Sequence, residues 1–247
     1  MMKLDAEKCF VSPCRIIKTW LFLLDRFGDK TCLEKSEFKS AREHYISALF
    51  TLGLTERYRK DFWIRIHPND STPDASIISL NLDSKNRCYL QISSLEFFEW
   101  EAHSKLTLIE AIRRKLDKKA YPTDYNLLCY CHDRTDEIDL IALFEAFRTL
   151  HASIGEIWVL SNIGNILLEK DFHGVARIYP DLMTSYFNAI EQFENKKDQT
   201  EIIVRHGESY FAGEKILSSE HSTNYCFEYL PVVPVLSKRV MLSQQWD

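Results

Sequence analysis

Four residues of the chain have the types and spacing of a site for a cation and an anionic group. Asp74 follows Pro73 at the start of an apolar run, Gln91 and Ser93 alternate with apolar residues in the next run, and Lys115 lies in the segment that follows. Carboxylate and amide oxygens are ligands for hard divalent cations, and an ammonium group attracts phosphate. The pattern therefore predicts a site that depends on how three successive elements meet.

Periodicity predicts those elements. Alternating apolar residues predict strands over 61–68, 75–82 and 88–97, with a five-residue polar connection at 83–87 that is typical of an antiparallel hairpin. Residues 104–120 are predicted to form a helix with Ser104 as N-cap, and Lys115 and Lys119 lie four residues apart along one edge of its apolar stripe. The hairpin and this helix must bring the four residues together.

The elements on either side predict the fold class. Helices are predicted over 13–27, from near residue 36 to Gly53, and over 180–195, and apolar runs predict buried strands over 126–131 and 156–161. A helix with an apolar stripe connects those two strands, which requires right-handed crossovers and a partly parallel sheet. The prediction is an α/β fold with a mixed central sheet flanked by helices.

Composition argues against several classes of protein, although a local basic patch could still contact phosphate. The 247 residues carry a net charge of −5, which is unlike the basic balance of a general nucleic-acid binder, and the longest apolar run, 20–24, is far too short to span a bilayer. The N-terminus has no apolar signal region, so the seven cysteines are predicted to be reduced thiols of a cytoplasmic protein. Cys129 and Cys131 are interpreted as buried apolar thiols rather than metal ligands.

The element order and Pro73-Asp74 resemble the PD-(D/E)XK nuclease superfamily over roughly residues 36–161. The resemblance implies a restriction-endonuclease-like core in which an acidic residue starts one strand and an acid-x-lysine triplet lies on the next. In that family the carboxylates hold magnesium, the lysine positions the attacking water, and a glutamate of the preceding helix sometimes assists.

Carried over to this chain, the resemblance implies that Asp74 and Gln91 bind Mg²⁺ and that Glu43 assists. The triplet position holds Gln91-Ile92-Ser93, which has neither the second acid nor the lysine. A lysine of the following helix would then have to reach the site, with Lys115 as first choice and Lys119 as second.

Structural readings of the same residues remain open. Asp74 after a proline is also a common turn residue, Gln91 and Ser93 would suit a solvent-facing strand, and the lysines would suit a solvated helix face. The acidic cluster Glu96, Glu99 and Glu101 is interpreted as an exposed loop in preference to a second carboxylate site.

Two functions follow from these readings. The first is a magnesium-dependent nuclease or nuclease-like protein acting on nucleic acid, with DNA favoured, in restriction or anti-phage defence. The second is a catalytically inactive domain on the same scaffold that binds a partner protein; the missing acid-x-lysine and the net acidity favour it. Neither function involves a membrane. The predicted organisation is an N-terminal helical segment (1–35), a nuclease-like core (36–195) and a C-terminal extension packed on the core (196–247).

Overall fold

One mixed sheet runs through the computed structural model, which describes residues 9–67, 73–82, 88–100, 104–118, 120–123, 125–131, 138–150, 154–163, 171–195, 202–206, 209–217, 223–226, 235–236 and 239–240. The strands, in chain order, are β1 (Cys9–Val11), β2 (Phe62–Ile66), β3 (Ala75–Leu82), β4 (Cys88–Trp100), β5 (Tyr125–Cys131), β6 (Glu156–Asn162), β7 (Phe172–Tyr179), β8 (Met183–Asn188), β9 (Ile202–His206), β10 (Ser209–Leu217), β11 (Thr223–Cys226), β12 (Val235–Leu236) and β13 (Arg239–Val240).

Eleven of these strands form a sheet in the order β11-β10-β9-β1-β2-β3-β4-β5-β6-β7-β8, and β12 and β13 form a separate pair. β4 pairs in parallel with β5, and β5 with β6, whereas the other pairings in the sheet are antiparallel. The predicted α/β class with a mixed sheet flanked by helices is confirmed. The division at residues 35 and 195 remains a prediction, and the sheet itself contains strands from all three predicted segments.

The helices are α1 (Pro13–Phe27), α2 (Asp29–Glu34), α3 (Lys39–Tyr58), α4 (Leu108–Asp117), α5 (Leu140–Phe147) and α6 (Ala189–Asn195), with a 3-10 turn at Ser36–Phe38. α1 has the predicted limits because Ser12 caps its first turn, Pro13 opens it, and Gly28 ends it at a positive φ of 79°.

Two apolar clusters cover the two faces of the sheet. One contains residues of α1 and α3 with Leu95 and Leu128, and the other contains residues of α4 and α5 with Leu127 and Cys129. Neighbouring strand residues thus enter opposite clusters, as alternation requires. The prediction of buried thiols is confirmed, because Cys129 and Cys131 are both 0% exposed and unbridged.

Three of the predicted helices differ from those in the structure. α3 continues past Gly53 to Tyr58. Gly53 does not end the helix; it lies where β7 and β8 pack closely against it, and a Cβ at this position would lie 2.5 Å from Val175 Cγ2. The N-cap of α4 is Thr107 rather than Ser104, since Thr107 forms a capping box with Glu110.

The third error is the helix predicted over 180–195. Its first part is β8, which pairs with β7, and only α6 is helical. Pairing with β7 buries Phe187 at the edge of the core, and this tertiary contact outweighs the local helical pattern. The predicted helical stripe therefore does not form.

Candidate functional site at the start of β3

Three titratable side chains lie in one row across β2, β3 and β4. The registers pair Ile66 with Ala75 and Ala75 with Leu95, so the next row contains His67, Asp74 and Glu96. The backbone N–H of His67 donates to the carbonyl oxygen of Asp74 at 3.0 Å. Directly opposite residues in antiparallel strands have Cβ atoms roughly 5 Å apart, so neighbours in this row are within side-chain reach of each other.

Asp74 also terminates the hairpin. Its Oδ2 accepts a hydrogen bond from the backbone N–H of Phe97 at 2.8 Å. The carboxylate thus takes the place of a strand carbonyl just where the β3–β4 ladder ends. The aspartate has a structural task in addition to any chemical one.

Lys115 of α4 reaches Glu96. The Nζ of Lys115 lies 3.3 Å from Oε1 of Glu96, and the two side chains are 24% and 7% exposed. α4 is held over this face of the sheet by Leu108 and Ile112, which are buried in the second cluster. Lys115 follows Ile112 by three positions, so it lies at the edge of the helix that packs on the sheet.

Asp74 contributes to the raised pKa of two nearby groups, in which burial is the larger cause. Burial raises the pKa of the Tyr121 hydroxyl, and the charges of Glu96 and Asp74 raise it further. Burial likewise raises the pKa of Glu43; Lys39 opposes this rise, whereas Asp74 and Glu99 add to it. Asp74 thus acts electrostatically on groups from both faces of the sheet, Tyr121 after α4 and Glu43 on α3.

His67 is a member of the row that sequence reasoning missed. Its Nε2 lies 2.8 Å from Oγ of Ser76, which is itself buried on β3. Burial and the charge of Arg65 lower the pKa of His67, which favours the neutral imidazole. The alternation of Trp63, Arg65 and His67 on β2 was the available signal, because it places these side chains on one face.

The predicted site residues are brought together in part. Lys115 contacts Glu96, and the register places Asp74 opposite Glu96, whereas Glu43 lies on the other face, 3.6 Å from Lys39. The backbone of Gln91 pairs with Ser79, five positions along β3 from Asp74, a separation of roughly 17 Å at the usual rise of a strand. The register therefore does not place Gln91 beside Asp74. The side chain of Gln91, like the whole of Lys119, lies outside the described residues.

Glu96 and Glu99 do not lie in an exposed loop, as the sequence had suggested. Both belong to β4: Glu96 lies within the predicted strand, and Glu99 is included because the strand continues three residues beyond its predicted end at Phe97. Glu96 is 5% exposed, and Glu99 pairs with Arg42 of α3 at 3.4 Å. Glu101 lies outside the described residues.

Asp74 and Glu96 are the two carboxylates of this row that could supply oxygen ligands to a cation. Mg²⁺ in proteins is commonly held by one or two carboxylates, with water and substrate phosphate as the other ligands. Burial is the main cause of the raised pKa of Tyr121, and the charges of both carboxylates add to it. Within the described ranges, no group of three or more His, Cys, Asp or Glu side chains has the geometry of a metal site.

Comparison with known proteins finds no match for the sequence among protein-family models or among curated proteins. The described helices include none with the length and apolarity needed to cross a membrane.

Proposed function

We propose that the chain is a metal-dependent phosphodiesterase of the nuclease type, acting on DNA in preference to RNA, with a role in restriction or anti-phage defence. The observation that carries the proposal is the convergence of Asp74, Glu96 and Lys115 at the end of a hairpin. Two acids on adjacent strands with a lysine are the groups that the resemblance to PD-(D/E)XK nucleases requires. Glu96 supplies the second acid in place of Gln91.

Each residue of this group has a task in the proposal. Asp74 and Glu96 would hold Mg²⁺, which when bound lowers the pKa of water and stabilises charge on phosphate. Lys115 would hold a phosphate oxygen and orient the attacking water. Besides burial, the charges of Glu96 and Asp74 help to raise the pKa of Tyr121, which places its hydroxyl near the two carboxylates as a hydrogen-bond donor.

α4 supplies the positive charge that an acidic chain needs for binding nucleic acid. Arg113 and Arg114 are exposed on this helix, and Lys118 is exposed directly after it, close in sequence to Lys115. Cations clustered on one helix attract the phosphate backbone even when the overall charge is −5. The proposed substrate path therefore runs along α4 toward Glu96.

The test is cleavage of labelled single-stranded and duplex DNA, and of RNA, with Mg²⁺ or Mn²⁺ and with chelator. We expect cleavage of DNA with metal, and losses on the order of 100-fold or more in Asp74→Asn, Glu96→Gln and Lys115→Met. Asn at position 74 keeps an acceptor for the N–H of Phe97. Glu99→Gln is the matched control, because this glutamate lies on the same strand but pairs with Arg42 on the other face.

Absence of metal-dependent cleavage from folded wild-type protein would refute the nuclease proposal, as would full activity in Asp74→Asn and Glu96→Gln. A second candidate, a catalytically inactive domain that binds a partner protein, has one observation in its favour. Lys115 already neutralises the buried Glu96, as a purely structural ion pair would. Recovery of a stoichiometric partner together with absence of cleavage would support this second candidate.

A further inference from the structure

The outer edge of the sheet at β8 has the properties of a self-pairing strand. β8 is the last strand in the sheet order, and within the part of the chain that the structure describes no strand lies beyond it. Its sequence, Met-Thr-Ser-Tyr-Phe-Asn, contains no charged residue and no proline. Edge strands are usually protected from pairing by charges, prolines or bulges, and the described part of β8 shows none of these devices.

The hydrogen bonds of the neighbouring strands show which backbone groups face outward. The N–H of Ala189 donates to the carbonyl of Asp171, so residue 189 and, by alternation, residues 187, 185 and 183 point toward β7. The N–H of Ile163 donates to the carbonyl of Phe172, which independently assigns Phe172 to the β6 side of β7. The backbone groups of Thr184, Tyr186 and Asn188 therefore point away from the sheet.

These three residues can pair with the same three residues of β8 in a second molecule. A two-fold axis at Tyr186 would place Tyr186 opposite its symmetry mate and Thr184 opposite Asn188 of the second copy. Thr184 and Tyr186 have outward-facing N–H and C=O groups. Asn188 is the N-cap of α6, so its carbonyl accepts the first bond of that helix and only its N–H is available for the ladder. An antiparallel ladder that uses these groups can form without breaking a bond within either chain. Opposite residues in such a ladder share a face, so side chains on the same face of β8 stay together.

The side chains on that face add apolar area to the contact. Tyr186 is 53% exposed, and with Thr184 it lines an apolar cavity of about 510 Å³ whose other walls include Ile138, Leu140 and Val159. A two-fold axis at Tyr186 would bring the cavities of two copies side by side. The tyrosine rings would then cover the cavity mouths from both chains.

We propose that β8 is a homodimerisation edge, with a second copy of this chain as its partner and the pairing centred on Tyr186. Because β8 has no charged residue, two copies of it can pair without electrostatic repulsion. Isologous pairing is the common closed arrangement for homodimers. The paired strands alone bury less than the roughly 800 Å² per partner of a standard interface. The dimer is therefore expected to dissociate on dilution.

Sedimentation equilibrium over a range of concentrations tests the proposal. The wild-type mass should rise with concentration toward twice the 29.0 kDa of one chain. Tyr186→Glu and Tyr186→Lys should each remain monomeric, because like charges would face each other across the axis. A mixture of the two variants should recover the dimer, because opposite charges would then meet.

Two further variants separate edge pairing from general effects. Thr184→Pro removes an outward N–H that the monomer does not use, so it should abolish the dimer while the thermal midpoint changes little. Phe22→Glu, at an exposed apolar position on α1 (57% exposed), should leave the dimer intact. A wild-type chain that stays monomeric throughout would overturn the proposal. So would a dimer that persists in either charge variant, or charge variants that do not recover it when mixed.

Discussion

Substitution of Lys115 tests how Glu96 is held and thus whether the candidate site is also part of the structural core. Lys115→Met leaves the carboxylate of Glu96, whose side chain is 7% exposed, without its ammonium partner at 3.3 Å. Breaking a buried ion pair costs about 3–5 kcal/mol. Lys115 is 24% exposed, and water can therefore reach the pair, so we expect a smaller loss of about 2–3 kcal/mol.

The size of this loss can be measured by a double-mutant cycle. For a chain of this length a loss of that size lowers the thermal midpoint by roughly 4–12 °C. Glu96→Gln should cost less, because the ammonium of Lys115 can turn toward solvent. The double variant should be more stable than the sum of the single losses predicts, with a coupling free energy of about 1 kcal/mol or more. Urea titrations of the four proteins give each free energy of unfolding.

The reasoning would be refuted by additive losses, or by Lys115→Met unfolding at the same midpoint as wild type. Either result would mean that Glu96 is compensated by other groups and that the lysine is not needed to bury it. Arg114→Met is the control, because Arg114 is exposed on the same helix and should change stability by less than about 0.5 kcal/mol.

Two further predictions concern the packing and the pH dependence of the fold. Gly53→Ala should destabilise the protein by about 1–3 kcal/mol in urea unfolding despite its gain in helix propensity, because the new Cβ would lie 2.5 Å from Val175 Cγ2. Gly174→Ala is the control, since its nearest contact would be at 3.4 Å. Unchanged stability of Gly53→Ala would contradict the packing argument. Burial lowers the pKa of both His173 and His44 to about 4, so the unfolded chain binds more protons than the folded chain below pH 6.5, and stability should fall from there toward pH 4. His173→Phe should reduce the dependence of the urea midpoint on pH across that range. An unchanged pH dependence would show that His173 does not contribute.

Local sequence patterns correctly predicted the elements whose limits are set by residues within the element itself. α1 is delimited by a serine cap, a proline and a glycine, all of which act within one turn, so no distant contact is needed to place it. The hairpin strands begin where alternation predicts, because one face of each packs into the core. The boundary at Gly53 failed because that glycine serves the contact with Val175, which is distant in the sequence.

The position of Glu96 opposite Asp74 follows from the predicted hairpin. Once the hairpin pairs Leu82 with Cys88, the register places Asp74 opposite Glu96. Matching the family triplet to the middle of β4 instead selected Gln91, five residues away. The depth at which Lys115 meets Glu96 depends on how α4 packs on the sheet, and periodicity along the helix does not contain that information.

The strand order has a consequence for how the chain assembles during synthesis. β2 to β8 lie side by side in the order in which they leave the ribosome, so each strand can add to the one before it. β1 is different, since it pairs with β9 about 190 residues later, Cys9 opposite Val204. One edge of β1 therefore stays unpaired until β9 has been synthesised. A stalled or truncated chain that lacks β9 would expose this edge.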